Sequence, residues 1–274
     1  MTAKYTEFDK KVAIVTGGSA GIGEAVAEEF LKNGAGVCYT GISERGLKTL
    51  EKWQNAGYKA RFLMGDMADT DFCEKVVYET VNTFGRLDFL VNNAADFISK
   101  GLEATKSDWK RILEVNIIGY AMMVNFAHEP MKETGGGAIV NISSVVAYVA
   151  NPNRTTYCTT KAGIVEMTRC QAMDLIKYNI RVNSVTPGWI WTPIAYIEAN
   201  GDRERWDPVW GKFHMMGRCG DPWEVAKPVI FLCSEDASFI TGTDLAIDGG
   251  YLAMGPERMG EDSYSDAGPI IENK

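Results

Sequence analysis

Strand-sized runs of β-branched and apolar residues alternate with longer amphipathic stretches through the first two-thirds of this chain. Residues 12–16 read as a buried strand. Residues 24–31 carry helical spacing and stop at Asn33-Gly34, a common helix C-terminus. Further strands are expected at 36–40, 60–64, 87–92, 138–142 and 180–185, with helices between them over about 44–55, 70–84, 109–131 and 155–178. The triple glycine Gly135-Gly136-Gly137 separates the longest of these helices from the strand after it. Regular strand–helix alternation specifies an α/β fold. Its expected form is a doubly wound parallel sheet with helices on both faces, three layers in all. The 274 residues show no repeat and no linker, so one domain is expected over residues 1–252.

Two stretches break the pattern. Residues 189–220 hold Trp189, Trp191, Tyr196, Trp206, Trp210 and Phe213 among glycines, prolines and charges, which reads as an irregular helical lid. Residues 253–274 form a polar, acidic tail, expected to be disordered or to lie on a neighbouring subunit.

Composition narrows the possible partners. A formal charge of -8 disfavours nucleic acid and anionic membrane. No apolar run approaches the roughly 18 residues of a membrane helix, and the first ten residues lack a signal-peptide core, so a cytoplasmic location is expected. Six cysteines without a C-x-x-C pair read as reduced, packed thiols. Two histidines, His128 and His214, without ligand spacing make a metal site an unlooked-for feature, and none is expected.

The segment Thr16-Gly17-Gly18-Ser19-Ala20-Gly21-Ile22-Gly23 lies where a strand turns into a helix. Glycines there allow a tight turn and let backbone approach a pyrophosphate, which a helix N-terminus attracts. Asp66 closes the third strand and can accept from an adenine amino group or cap the next helix. Asn92-Asn93-Ala94-Ala95 ends the fourth strand with small and amide residues that leave room for a ribose. Tyr157 and Lys161 stand four residues apart, on one helix face. A neighbouring ammonium is expected to favour the phenolate, drawing a group whose ordinary pKa is about 10 toward acid–base work near neutrality.

Taken in order, Thr16-Gly17-x-x-x-Gly21-x-Gly23, Asp66, Asn92-Asn93-Ala94, Asn116, Ser144, Tyr157-x-x-x-Lys161, Pro187-Gly188-x-x-x-Thr192 and Asp248-Gly249-Gly250 resemble the short-chain dehydrogenase/reductase family over about residues 8–252. Ala95 departs from the family's usual glycine. The resemblance implies a Rossmann-type sheet and an NAD(P)-dependent enzyme that interconverts a secondary alcohol and a ketone. It implies Tyr157 as general acid/base, Lys161 as its partner on the nicotinamide ribose, Ser144 (over its neighbour Ser143) as donor to the substrate oxygen, and Asn116 as holder of a relay water. Cofactor contacts are implied for Gly17, Ser19, Ala20, Gly21, Ile22 and Gly23 in the turn. Further contacts fall to Gly41, Ile42 and Ser43 after the second strand, Asp66 and Met67 after the third, and Asn93, Ala94 and Ala95 after the fourth. Pro187, Gly188, Ile190 and Thr192 are implied to orient the nicotinamide, with hydride passing on its 4-pro-S side. Gly41 stands where NAD users place an acid, while Thr40, Ser43 and Arg45 are available to a 2′-phosphate, so NADP is favoured over NAD.

An aromatic lid beyond the strand ends suits a bulky or cyclic apolar substrate such as a hydroxysteroid. Ser144, Val146, Tyr148, Trp189, Trp191, Tyr196 and Trp210 are the expected substrate contacts, with Phe97 on the opposite wall. His214, Arg203 and Arg205 are the candidates for meeting an acidic group. The alternatives are a 3-ketoacyl-thioester reductase, a polyol or sugar dehydrogenase, and a non-catalytic cofactor-binding sensor. Family likeness further implies a homotetramer or homodimer.

Overall fold

In the computed structural model, residues 5–255 are described. Seven strands form one all-parallel sheet: β1 (Val12–Val15), β2 (Gly36–Gly41), β3 (Ala60–Met64), β4 (Phe89–Asn92), β5 (Gly137–Ile142), β6 (Ile180–Pro187) and β7 (Asp244–Ile247). Their order across the sheet is β3-β2-β1-β4-β5-β6-β7. Every residue of β1, β2 and β4 is buried, as a strand covered on both faces requires. Two apolar cores lie against the sheet. One contains Phe8, Phe30, Trp53 and Val229; the other contains Val76, Leu90, Met123 and Ile139. The expected doubly wound, Rossmann-type architecture is therefore present. The chain runs outward from β1 through β2 to β3, then returns to place β4 on β1's other side. A crevice opens beyond the strand ends at that reversal, the usual ligand position in such sheets.

Helices α1 (Gly21–Lys32), α2 (Arg45–Asn55) and α3 (Thr70–Phe84) fall close to expectation. The long helix expected at about 109–131 is instead three segments. A capping box of Thr105 and Asp108 starts α4 (Lys106–Leu113), a π-helical turn follows over Glu114–Ile118, and α5 (Gly119–Glu133) continues it. The widened turn carries Asn116, whose buried side chain is bonded to groups outside the helix. After α6 (Thr155–Leu175), the lid consists of two short helices, α7 (Pro193–Glu198) and α8 (Arg203–Gly211). Helix α9 (Pro222–Cys233) and strand β7 complete the sheet and its cover, beyond the six strands read from the sequence. Among the described residues, no helix is long and apolar enough to cross a membrane. Most of the tail expected at 253–274 lies outside the described residues.

Candidate active site

The turn after β1 is glycine-rich because its backbone demands it. Gly17 and Gly21 take φ of +64° and +56°, where a side chain is strained. Gly23 is small for another reason: a Cβ there would lie 2.4 Å from both Asn93 Nδ2 and the Gly17 carbonyl oxygen. Asn93 Nδ2 donates to the carbonyls of Thr16 (2.9 Å) and Gly17 (3.2 Å), and the Thr16 hydroxyl accepts from the backbone N–H groups of Asn93 and Ala94. The ends of β1 and β4 are thus stitched together, and α1 begins directly above them. Its N-cap residue, Ala20, has no side chain to satisfy the first-turn N–H groups. Those donors, with the positive end of the helix, form a place suited to an anion.

A cavity of about 460 Å³ opens there. Of the residues assigned to the cofactor from the sequence, Gly17, Ser19, Ala20, Gly21, Ile22, Gly41, Ile42, Asp66, Met67, Asn93, Ala94, Ala95 and Thr192 line it. Gly23 lies beneath the turn as packing. Ser43 is exposed and away from the lining, Pro187 is buried as the last residue of β6, and Gly188 and Ile190 line a different cavity beside His214. Sequence reading missed Arg111 and Asp96, which share this wall. Arg111 reaches Asp66 through Nη1 (2.6 Å) and Asp96 through Nε (2.9 Å). Burial works to raise the Asp66 carboxyl, but the bonds from Arg111 and the Ala68 N–H outweigh it and hold Asp66 below its ordinary value. No motif announces Arg111, because its partners are 45 and 15 residues away in sequence.

The end of β5 and helix α6 bring three of the predicted catalytic side chains together. Tyr157 is 8% and Lys161 2% exposed. The Lys161 ammonium lies 5.5 Å from the Tyr157 ring centroid and donates to the Ile142 carbonyl at 2.9 Å. Ser143 donates its hydroxyl to the Lys161 carbonyl at 2.9 Å and is consumed in fastening β5 to α6. Ser144 is the hydroxyl close enough to Tyr157 to favour its phenolate. The expectation that Lys161 favours the Tyr157 phenolate is corrected, because Lys161 is not among the influences on that phenol. Burial is the largest influence on both: it pushes the phenol up and pushes the ammonium down to about 7, because either charge must leave water.

Asn116 is fully buried and bonded on both sides. Its Oδ1 accepts from the Asp96 N–H (2.7 Å), and its Nδ2 donates to the Asp96 carbonyl (3.0 Å) and the Thr160 hydroxyl (3.1 Å). Thr160 in turn donates to the Tyr157 carbonyl at 2.9 Å. Asn116 therefore ties the loop after β4 to the turn of α6 that carries Tyr157.

The substrate wall differs most from expectation. Trp191 and Trp210, 3% and 8% exposed, pack on one another at 5.2 Å, with Trp189 and Trp206 against Trp210 at 5.1 and 5.4 Å. Trp191 also donates its indole N–H to Asp207, and Tyr196 packs on Trp191 at 5.2 Å. The aromatic residues build the lid's own core. Tyr148 is exposed and donates to Asp244 on β7, away from Tyr157. Val146 alone of the apolar candidates packs in the Tyr157 cluster, with Val145, Ile112, Ile98, Tyr251 and Leu252. Phe97 joins the two halves: it lines the cofactor cavity and stacks on Tyr157 with ring centroids 5.5 Å apart. The polar lid candidates are committed too. Arg203 pairs with Asp221 at 2.8 Å, Arg205 lies over Trp206, and buried His214 accepts from the Trp189 N–H.

An uncapped helix N-terminus over a glycine cradle, a carboxylate at the adenine end and a buried Tyr–Lys pair at the other end fit a nicotinamide dinucleotide, either NAD or NADP. Fold and site together define an oxidoreductase of the doubly wound α/β class. A family described as "Enoyl-(Acyl carrier protein) reductase" matches residues 17–252, and the chain belongs to the short-chain dehydrogenase/reductase family. It is 34% identical to cis-4-hydroxycyclohexanecarboxylate dehydrogenase of Sinomonas cyclohexanicum, over 90% of this chain and 98% of that protein. It is 36% identical to a 3-oxoacyl-(acyl-carrier-protein) reductase of Thermotoga maritima, over 89% and 99%. Ligand-free aldohexose dehydrogenase of Thermoplasma acidophilum superposes with a TM-score of 0.82 at 34% identity, covering 92% of this chain and 98% of that one.

Proposed function

We propose that this enzyme interconverts a secondary alcohol and a ketone on a cyclic substrate, with Tyr157 as general acid/base and NADP as the favoured cofactor. The observation that carries this reading is Tyr157 itself, buried beside Lys161 and Ser144 and joined through Phe97 to a cavity headed by the uncapped N-terminus of α1. A bound nicotinamide dinucleotide supplies hydride transfer at its ring. The chain's own residues handle the oxygen. In oxidation the Tyr157 phenolate takes the hydroxyl proton, and in reduction the phenol returns it. Ser144 donates to the substrate oxygen, where charge develops. Asn116 and Thr160 hold the backbone that aims Tyr157.

Gly41 supports NADP. It offers no carboxylate to repel a 2′-phosphate, and a Cβ there would lie 2.4 Å from Ser19 Oγ, so an acidic side chain has no room without rearrangement. A cyclic substrate is supported by the apolar wall of Val146, Phe97, Ile98, Tyr251 and Leu252. That wall takes over the role expected of the lid tryptophans. The similar cyclohexane-alcohol and aldohexose dehydrogenases both take ring alcohols, and a sugar dehydrogenase is the second reading. A ketoacyl-carrier reductase is disfavoured by the net charge of -8, which repels an acidic carrier protein. A homotetramer or homodimer is the proposed assembly, supported by exposed apolar side chains such as Met173 on α6 and Phe239. The test of function is a panel of ring alcohols, ketones and sugars assayed by the absorbance of reduced nicotinamide. Turnover restricted to acyl thioesters, or no turnover at all, would overturn the proposal.

A further inference from the structure

Arginine side chains in this protein are almost all committed. Among the described residues most pair with carboxylates, Arg181 donates to backbone carbonyls, and Arg205 lies on the face of Trp206. Arg154 is the exception: among the described residues it has no ion pair, no side-chain hydrogen bond and no aromatic face. Its position makes this informative. Arg154 is the N-cap of α6 and Tyr157 is the third residue of that helix, the spacing at which a cap side chain reaches its neighbour. Tyr251, almost a hundred residues later, packs in the same apolar cluster as Tyr157, Val145 and Val146. The guanidinium lies close enough to both phenols to favour the ionised form of each. A half-buried cation thus stands near the acid/base and the apolar wall, and among the described residues no carboxylate pairs with it. A guanidinium without a protein partner is free to receive an anion.

We propose that Arg154 is a substrate-binding residue and that the substrate is a cyclic secondary alcohol bearing a carboxylate, which Arg154 holds while the hydroxyl faces Tyr157. The inference rests on the alcohol–ketone reading above. A planar guanidinium matches a carboxylate in two parallel hydrogen bonds. One uncompensated positive charge balances one negative charge. A phosphate dianion calls for a second free cation, and Lys100 and Arg203 are already paired with Asp108 and Asp221. During oxidation the C–H hydrogen leaves with its electron pair to the nicotinamide, the hydroxyl proton goes to Tyr157, and the carboxylate is unchanged.

The test uses full-length wild type, Arg154→Gln and Arg154→Lys with saturating NADP, on the 2-, 3- and 4-hydroxycyclohexanecarboxylic acids and their methyl esters. Wild type should prefer at least one acid over its ester by about 30-fold in kcat/KM, chiefly through KM. Arg154→Gln should lose at least about tenfold more on the acid than on the ester, where only its influence on Tyr157 is lost, with Arg154→Lys between them and cofactor affinity unchanged. A second measurement, calorimetric binding of cyclohexanecarboxylate to the NADPH complex, separates the two readings. Arg154-dependent binding without turnover of either alcohol overturns the alcohol–ketone reading and leaves the carboxylate site standing. Equal wild-type rates on acid and ester, or equal losses on both in Arg154→Gln, overturn the role of Arg154.

Discussion

The Lys161 ammonium sits 5.5 Å from the centre of the Tyr157 ring and is anchored to the Ile142 carbonyl at 2.9 Å, so strand β5 sets where the charge stands relative to the phenol. Both groups are buried, and burial resists ionisation of each. Catalysis then requires the site to supply what the protein environment withholds. Ser144 and Arg154 already bias Tyr157 toward the phenolate, and a positively charged oxidised nicotinamide adds to that bias when bound.

Replacing Tyr157 by Phe removes the proton acceptor while keeping the ring against Phe97. Turnover should fall by about a thousandfold, within the usual range for general acid–base catalysis, while the cofactor dissociation constant stays within about threefold. Steady-state kinetics and fluorescence titration with NADPH check this. Near-normal turnover would remove Tyr157 from the mechanism.

Lys161 carries a sign that stability measurements can read. Its ordinary value is 10.5, and burial brings it to about 7 in the folded chain. Between these values the unfolded state binds a proton that the folded state does not, so stability rises with pH across that window. The penalty is complete below about 7 and gone above 10.5. Lys161→Met abolishes this contribution. The wild-type unfolding free energy, taken relative to Lys161→Met, should climb between pH 7 and pH 10 by up to about 1.4 kcal/mol per unit. Urea titrations across that range check it, and parallel curves would show that Lys161 is charged in the fold.

Asn116→Ala deletes three hydrogen bonds, one of them fully buried, and leaves the Asp96 N–H and the Thr160 hydroxyl short of a partner. A loss of about 2–4 kcal/mol is expected, lowering the melting temperature by about 5–15 °C. Turnover should also drop, because the loop after β4 is no longer tied to the turn of α6 that carries Tyr157. Unchanged melting with lost turnover would mean that Asn116 acts on the reaction alone.

Wild type should show a higher kcat/KM with NADP than with NAD. The double variant Ser19→Gly/Gly41→Asp opens the space that Ser19 Oγ fills and adds a carboxylate beside the ribose. It should shift the NADP:NAD ratio toward NAD by about tenfold or more through charge repulsion. Side-by-side titrations decide, and a wild-type preference for NAD would refute the assignment.

Much of the site is legible where chemistry and spacing are local. The turn from Thr16 to Gly23 is readable because a strand–glycine–helix junction dictates both its backbone and its anion-binding end. Tyr157 and Lys161 are readable because one helical turn joins them. Arg111 is not, since its bonds to Asp66 and Asp96 exist only after α4 has packed beside the ends of β3 and β4. The lid misled for a related reason. Tryptophans interspersed with glycine and proline look like a substrate wall, yet Trp189, Trp191, Trp206 and Trp210 satisfy one another, because a small lobe outside the main sheet needs a core of its own.

Alternating strands and helices, a glycine turn and a Tyr-x-x-x-Lys helix were enough to specify a parallel sheet, a dinucleotide crevice and the type of reaction. These rest on backbone geometry and short-range periodicity, which a linear chain encodes directly. Which serine, which aromatic residues and which arginine are already engaged by other groups depended on long-range packing. Ser143 is taken by the α6 backbone, the lid tryptophans are taken by one another, and Arg154, near Tyr157 and Tyr251, has no counter-charge among the described residues. Burial decided the rest: the same Tyr157 and Lys161 that spacing pairs as ions are held by a low-dielectric site nearer to neutrality until a ligand changes the balance.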